Sequence, residues 1–298
     1  MRFGLFGTGP WAHMVHSEAL ARHPRAELAG VWGRNPEKAA ELAEKHGTRA
    51  YADPDELIAA VDAVAIALPP DVQAPIAIRA ARAGKHLLLD KPVSLRTEEA
   101  VELASAVADR EVASVVFFTR RFVPEWAEFL DEAVATGGWT EARVDHLGSI
   151  FTPDNPFGAS AWRKERGGLW DVGPHALSLV LPVLGPVTEV TGLAGNRDLT
   201  ALVLRHEGGA ISRLTLSVDA PEAAGRAVTE FFGEAGIRAL PAVDFDAVTL
   251  YGLALDQLLT AADGGAASAL DVDFGVTVTR ILEAAEESIR DGRTVRIS

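Results

Sequence analysis

The stretch "RFGLFGTGPWA", Arg2–Ala12, decides the fold. "RFGLFG" is short and apolar and reads as a strand. "GTGPWA", Gly7–Ala12, then turns and opens a helix expected over Pro10–His23. A strand that feeds a glycine turn into a helix is the setting in which a dinucleotide fingerprint has physical meaning. Gly7 permits the tight turn. Gly9 has no side chain, so a pyrophosphate can approach the backbone, and Ala12 takes the third small position, where helix and strand pack closely. Thr8, Pro10 and Trp11 complete the turn, and the N–H groups that open the helix face the phosphates.

Outward from that turn the chain alternates. Strands are read at "AELAGVW", "TRAY", "DAVAIAL", "KHLLLD" and "ASVVFF". Helices are read between them at "NPEKAAELAEKHG", "DPDELIAAV", "PPDVQAPIAIRAARAG" and "TEEAVELASAVAD". Apolar strands alternating with amphipathic helices build βαβ units and a parallel sheet. The class is α/β, with an N-terminal Rossmann dinucleotide-binding domain over residues 1–120.

The second strand ends "VWGRNPEKA". NAD sites often carry an acid at this tip to bind the ribose 2′-hydroxyl. Here Gly33 removes a carboxylate that would repel a 2′-phosphate, and Arg34 supplies a planar cation that can pair with it and lie on the adenine. Asn35 can add an amide hydrogen bond. NADP is favoured and NAD remains possible, the competing view being a surface arginine in a helix-leading turn. In "ALPPDVQ", Leu68, Pro69 and Pro70 follow the fourth strand and can line the ribose and nicotinamide, or form a plain proline turn. "HLLLDKPVSL", His86–Leu95, ends an apolar strand on an acid, a base and a proline. Ligands of open parallel sheets bind beyond the carboxyl ends of the strands, so Lys91 and Pro92 fall at the cofactor edge, the alternative being a charged turn after a strand.

After "VVFFTRRFVP" the rhythm changes. Phe122–Thr136 reads as a helix and "EARVDHLGSIF" as a strand. "TPDNPFGASAWRKERGG" reads as a long loop in which Trp162 and Arg163 make a binding wall. In "GGLWDVGPHALSLVLPVLG", Pro174 suits a first helical turn flanked by Asp171 and His175. A histidine exchanges protons near neutral pH and a nearby carboxylate orients it; a packed structural histidine is the alternative. "TEVTGLA", "TALVLRHEGGAISRLTLSV" and "RAVTEFFGEAG" read as antiparallel strands, followed by helices around Phe245–Ala262 and Phe274–Asp291 and a short end strand. Residues 121–298 are therefore expected to form an α+β domain with a mostly antiparallel open sheet, serving substrate binding and oligomerisation. An exposed face of that sheet needs covering, which points to a homodimer or homotetramer.

Composition excludes several classes. The chain has 298 residues, 48% hydrophobic and 23% charged, as a globular protein does. A net charge of −14 argues against a nucleic-acid surface and against anionic membrane. Without cysteine there are no disulfides, thiolate nucleophiles or cysteine metal sites. His13, His16, His23, His46, His146 and His206 show no metal-ligand spacing, so no metal is expected and they read as structural or surface residues. Neither a secretory pattern nor an apolar run of spanning length occurs, which makes the cytoplasm the expected compartment.

Taken in order, "GTGPWA", "NPEKA", "DAVAIALPP", "LLLDKPVSL", "RRFVP" and "WRKERGGLWDVGPHALSL" resemble the Gfo/Idh/MocA oxidoreductases (glucose–fructose oxidoreductase, inositol dehydrogenase, rhizopine catabolism) over nearly the whole chain. The resemblance implies that Lys91 hydrogen-bonds the reacting oxygen and the nicotinamide ribose. It implies that Asp171 orients substrate and histidine, that His175 is the general acid/base, and that the Lys91–Pro92 peptide is cis. Arg121, Trp162 and Arg163 would border the substrate. Three positions depart from the family pattern: Asp90 stands for a glutamate, Gln73 for a histidine, and Ser178 for an acid. The expected activity is NADP-dependent oxidation or reduction of a hydroxyl/ketone pair on a sugar, cyclitol or related polyol. The rivals are a reductase of a non-sugar carbonyl or imine, and a non-enzymatic cofactor-binding sensor or regulator.

Overall fold

Residues 1–297 are described by a computed structural model. They divide into two units, Met1–Phe122 with Phe245–Thr277, and Val123–Asp244 with Val278 onward.

The first unit follows the alternation closely. It runs β1 (Arg2–Phe6), α1 (Ser17–Arg22), β2 (Glu27–Trp32), α2 (Pro36–Lys45), β3 (Ala50–Tyr51), α3 (Pro54–Ala60), β4 (Ala63–Ile66), α4 (Pro70–Arg82), β5 (His86–Asp90), α5 (Thr97–Arg110) and β6 (Ser114–Phe117). Among the described residues the strands form one sheet in the order β3-β2-β1-β4-β5-β6, with every neighbouring pair parallel. Strand order reverses between β1 and β4, the switch point at which such sheets bind ligands. Proline opens α2, α3 and α4, where its missing N–H costs nothing, and Asn35 and Asp53 cap the first two of these helices. The expected helix over Pro10–His23 is instead a π-helical turn, Ala12–His16, leading into α1, with the Ser17 N–H reaching back to the Ala12 carbonyl. π-turns inside helices occur frequently at functional sites.

The second unit begins with α6 (Pro124–Thr136), β7 (Trp139–Leu147), α7 (Ala161–Asp171) and α8 (Gly173–Leu184). It continues with β8 (Val187–Ala194), β9 (Thr200–His206), β10 (Ile211–Ser217), β11 (Arg226–Gly233) and β12 (Gly236–Ala239). α9 (Ala247–Ala262), α10 (Val272–Asp291) and β13 (Val295–Arg296) complete the chain. The sheet order is β12-β11-β7-β10-β9-β8-β13. β7 and β10 pair in parallel and the other neighbours antiparallel, so the sheet is mixed, mostly antiparallel. One face carries Ala142, Val144, Leu202, Leu204 and Leu214 in the core, against α8. The other presents Leu193, Val203 and Ile237, exposed at 70, 46 and 66%.

Two expectations change. The domains are not the contiguous 1–120 and 121–298, because α9 returns to the first unit. Its buried Leu250, Tyr251, Leu255 and Leu258 pack against β5, β6 and α1. The stretch read as one long loop contains helix α7, from Ala161 onward, kinked at Gly167 with φ 59° and ψ −158°. No helix among the described residues is long and apolar enough to cross a membrane.

Candidate functional site

The carboxyl ends of the first unit's strands bring the dinucleotide candidates to one sheet edge. Gly7 follows β1 with φ 134°, and a Cβ there would lie 2.3 Å from the Ala67 carbonyl oxygen beyond β4. The Gly7 N–H donates to Trp32 O at 2.8 Å, joining the tips of β1 and β2. A Cβ on Gly9 would meet nothing within 4 Å, which leaves the backbone open to a ligand. Ala12 is fully buried, Thr8 and Trp11 are half-buried, and Pro10 is exposed.

At the β2 tip Gly33 has a steric role that its chemistry did not announce. A Cβ would stand 2.6 Å from Thr8 Cγ2, so glycine lets this tip close on the turn. Arg34 is exposed. Asn35 caps α2, its Oδ1 accepting from the Lys38 N–H at 3.0 Å, while the group a phosphate would accept from is the amide N–H₂ and not that oxygen. Leu68 and Pro69 follow β4, Pro69 preceding the first turn of α4, which Pro70 opens.

β5 ends on Asp90, and the Lys91–Pro92 peptide that follows is cis. Lys91 is half-buried at the edge that holds Gly7 and Leu68. β6 leads into a 3-10 turn, Thr119–Phe122, that carries Arg120 and Arg121. Burial pushes the Arg120 guanidinium down to about 10, still a cation at neutral pH. Arg121 is half-buried beside it. Beneath the β5 tip His16 is fully buried, with Nε2 3.4 Å from Asp90 Oδ2 and its ring 4.2 Å from that of Tyr251. Burial first, then the Asp90 charge, raises the Tyr251 phenol well above its ordinary range, so it stays protonated.

The second unit holds the acid and the histidine. Asp171 closes α7 and His175 lies in the first turn of α8, with Pro174 before it. Glycines let this segment lie on the sheet. A Cβ on Gly168 would sit 2.6 Å from Ser217 Cα, and one on Gly173 2.8 Å from Leu282 Cδ2. Arg163 Nε donates to Asp171 Oδ2 at 2.9 Å, while its guanidinium lies 4.9 Å from the Trp162 ring centroid and 5.2 Å from that of Phe157. Arg163, expected at the substrate, is thus also the partner of the expected catalytic carboxylate. Ser178 Oγ donates to the His175 carbonyl at 2.8 Å, a local helical bond.

His146, read as structural or surface, lies with its ring 6.0 Å from that of His175. It follows Ala142 and Val144 at a spacing of two along β7, the one signal that could have placed it on their face. Among the described residues no three His, Cys, Asp or Glu side chains gather to hold a metal.

A model of the Gfo/Idh/MocA oxidoreductase family, NAD-binding Rossmann fold, matches residues 1–118, and the Gfo/Idh/MocA C-terminal domain model matches residues 141–238. An uncharacterized oxidoreductase of Synechocystis sp. is 34% identical over 194 residues, 62% of this chain and 52% of its own. UDP-N-acetylglucosamine 3-dehydrogenase of Acidithiobacillus ferrooxidans is 36% identical over 124 residues, 42% of this chain and 39% of its own. The match thus spans about half, or less, of the length of these two relatives. The crystal structure of GenD2 from gentamicin A biosynthesis in complex with NAD superposes with a TM-score of 0.88 at 24% identity, covering 100% of this chain and 96% of that one, which fixes the fold.

Proposed function

The chain belongs to the Gfo/Idh/MocA oxidoreductase family, and from that premise we propose that it is an NADP-dependent oxidoreductase acting on a hydroxyl/ketone pair of a sugar, cyclitol or related polyol. The observation that carries the reading is the edge of the parallel sheet. An open glycine turn lies at the switch point, and Lys91 stands at the tip of β5, next but one to β1. The residues present fit a dinucleotide: Gly9 is unobstructed, and Gly33 with Arg34 at the β2 tip suits a 2′-phosphate better than an acid would. The relative named for UDP-N-acetylglucosamine supports a sugar, and the NAD-bound neighbour keeps NAD in play.

Bound there, the nicotinamide supplies a hydride acceptor or donor. In the oxidative direction His175 takes the hydroxyl proton at a ring nitrogen. Asp171, held by Arg163, orients it, and the Lys91 ammonium stabilises the developing alkoxide. Arg121 and Trp162 border the substrate. A nicotinamide-dependent enzyme works where its cofactor pool lies, which supports the cytoplasm as its compartment. The exposed apolar residues of the open sheet, Leu193 and Val203 among them, support a homodimer or homotetramer. A monomer in analytical ultracentrifugation would remove that part of the reading.

The test is a coupled assay at 340 nm with NADP⁺ and NAD⁺ against cyclitols, free sugars and nucleotide sugars, each with its keto form in reverse. Turnover on one such pair, faster with NADP⁺, is the expected result. Turnover confined to imines or simple ketones would overturn the substrate class.

A further inference from the structure

Both ends of the Lys91 segment are gripped by one buried side chain. Gln73, on α4, is fully buried. Its Oε1 accepts from the Asp90 N–H at 2.9 Å, and its Nε2 donates to the Asp90 carbonyl at 2.8 Å and the Pro92 carbonyl at 3.1 Å. The orientation of the amide follows from this pattern, because an acceptor must face the N–H and a donor the two carbonyls. Asp90 adds a fourth bond: its Oδ1 accepts from the Lys91 N–H at 3.0 Å. The other oxygen of that carboxylate faces buried His16 at 3.4 Å.

The N–H groups of Asp90 and Lys91 and the carbonyls of Asp90 and Pro92 are therefore all met by two side chains. A primary amide suits this place better than a neutral imidazole, which has a single N–H for two carbonyls. A buried polar group left without its partner is expensive, so α4 and the β5 tip are bound to one geometry.

We propose that Gln73 is a positioning residue, whose amide acts with the Asp90 carboxylate to fix the main chain on both sides of Lys91 and so set where the ammonium stands at the sheet edge. The proposal rests on the oxidoreductase reading for the work that Lys91 does, but not for the clasp itself.

Three readouts test it. In the wild-type protein, hydrogen exchange of the Asp90 and Lys91 amides should be slow, and exchange as fast as in exposed loops would overturn the clasp. In Gln73→Met, which keeps the volume and removes every bond, kcat should fall about 10- to 100-fold, with KM and NADPH affinity little changed. The rate of Lys91 acetylation by acetic anhydride, read by mass spectrometry, should change while those of Lys38 and Lys85 do not. Should that variant fail to fold, Gln73→Glu keeps the acceptor, loses both donors and carries the same expectation. Unchanged kcat and Lys91 acetylation in a folded variant would sink the proposal with the function intact. Altered Lys91 acetylation in a protein whose wild type turns over no polyol would sink the function with the clasp intact.

Discussion

Lys91→Ala is expected to lower kcat by about 10²- to 10³-fold and His175→Ala by about 10²- to 10⁴-fold, with dinucleotide affinity little changed in His175→Ala and weakened in Lys91→Ala by no more than the loss of its bond to the nicotinamide ribose. The two losses have different causes. In the proposed reaction the side chain of Lys91, at the carboxyl edge of the parallel sheet, counters an alkoxide that exists only as the reaction proceeds. Removing it costs the ground state no more than a bond to the cofactor ribose, so most of the deficit belongs in kcat. In the same proposal His175 gives the hydroxyl proton a destination, and its loss would leave that work to water. Groups that act on one proton transfer are not additive, so the double variant should fall little below the worse single one. Steady-state kinetics on the substrate found by the coupled assay decide the matter. Near-normal kcat in both variants would remove Lys91 and His175 from the chemistry.

Gly7→Ala should abolish dinucleotide binding and destabilise the protein by about 2–4 kcal/mol. A φ of 134° is rarely open to residues with a Cβ. The added atom would also meet the Ala67 carbonyl oxygen at 2.3 Å. That carbonyl cannot simply withdraw, since the Ala67 N–H is tied to Phe6 O at 2.8 Å. The tips of β1 and β4 must part, and the turn goes with them. Gly9→Ala is the matched control. Its Cβ would meet no protein atom within 4 Å, so thermal stability should hold while affinity falls, because the open space is where the backbone meets phosphate. Thermal denaturation and NADPH titration of the pair separate the two roles. Equal stability loss in both would contradict the geometry.

Much of the first unit was legible because its information is local. Short apolar runs alternating with 3.6-period stretches, several of them opened by proline or followed by glycine, are written locally and need no knowledge of distant neighbours. Gly7, Lys91, Asp171 and His175 could be singled out for the same reason: each sits at an abrupt break in a hydrophobic run. What stayed hidden depends on packing. Gln73 was visible as a departure from the family pattern, but its hold on Asp90 and Pro92 exists only because α4 lies against β5. Nothing in the apolar pattern of α9 says which sheet it covers, so its place beside β5 and β6 could not be read. α7 was obscured by Gly167 and Gly168, poor helix formers needed for the kink and for contact with β10. The parallel pairing of β7 with β10 joins strands far apart in sequence, and alternation within a strand does not fix its neighbour.

Nicotinamide dependence can be tested before any substrate is known. NADPH and NADH, titrated separately into the protein and followed by tryptophan quenching with Trp11 in the cofactor turn, address it directly. The predicted result is saturable binding, tighter for NADPH, with that preference weakened about tenfold in Arg34→Ala. Equal or tighter NADH binding would transfer the cofactor to NAD and leave Lys91, Asp171 and His175 in place. Saturable binding of neither nucleotide would contradict the account at its base.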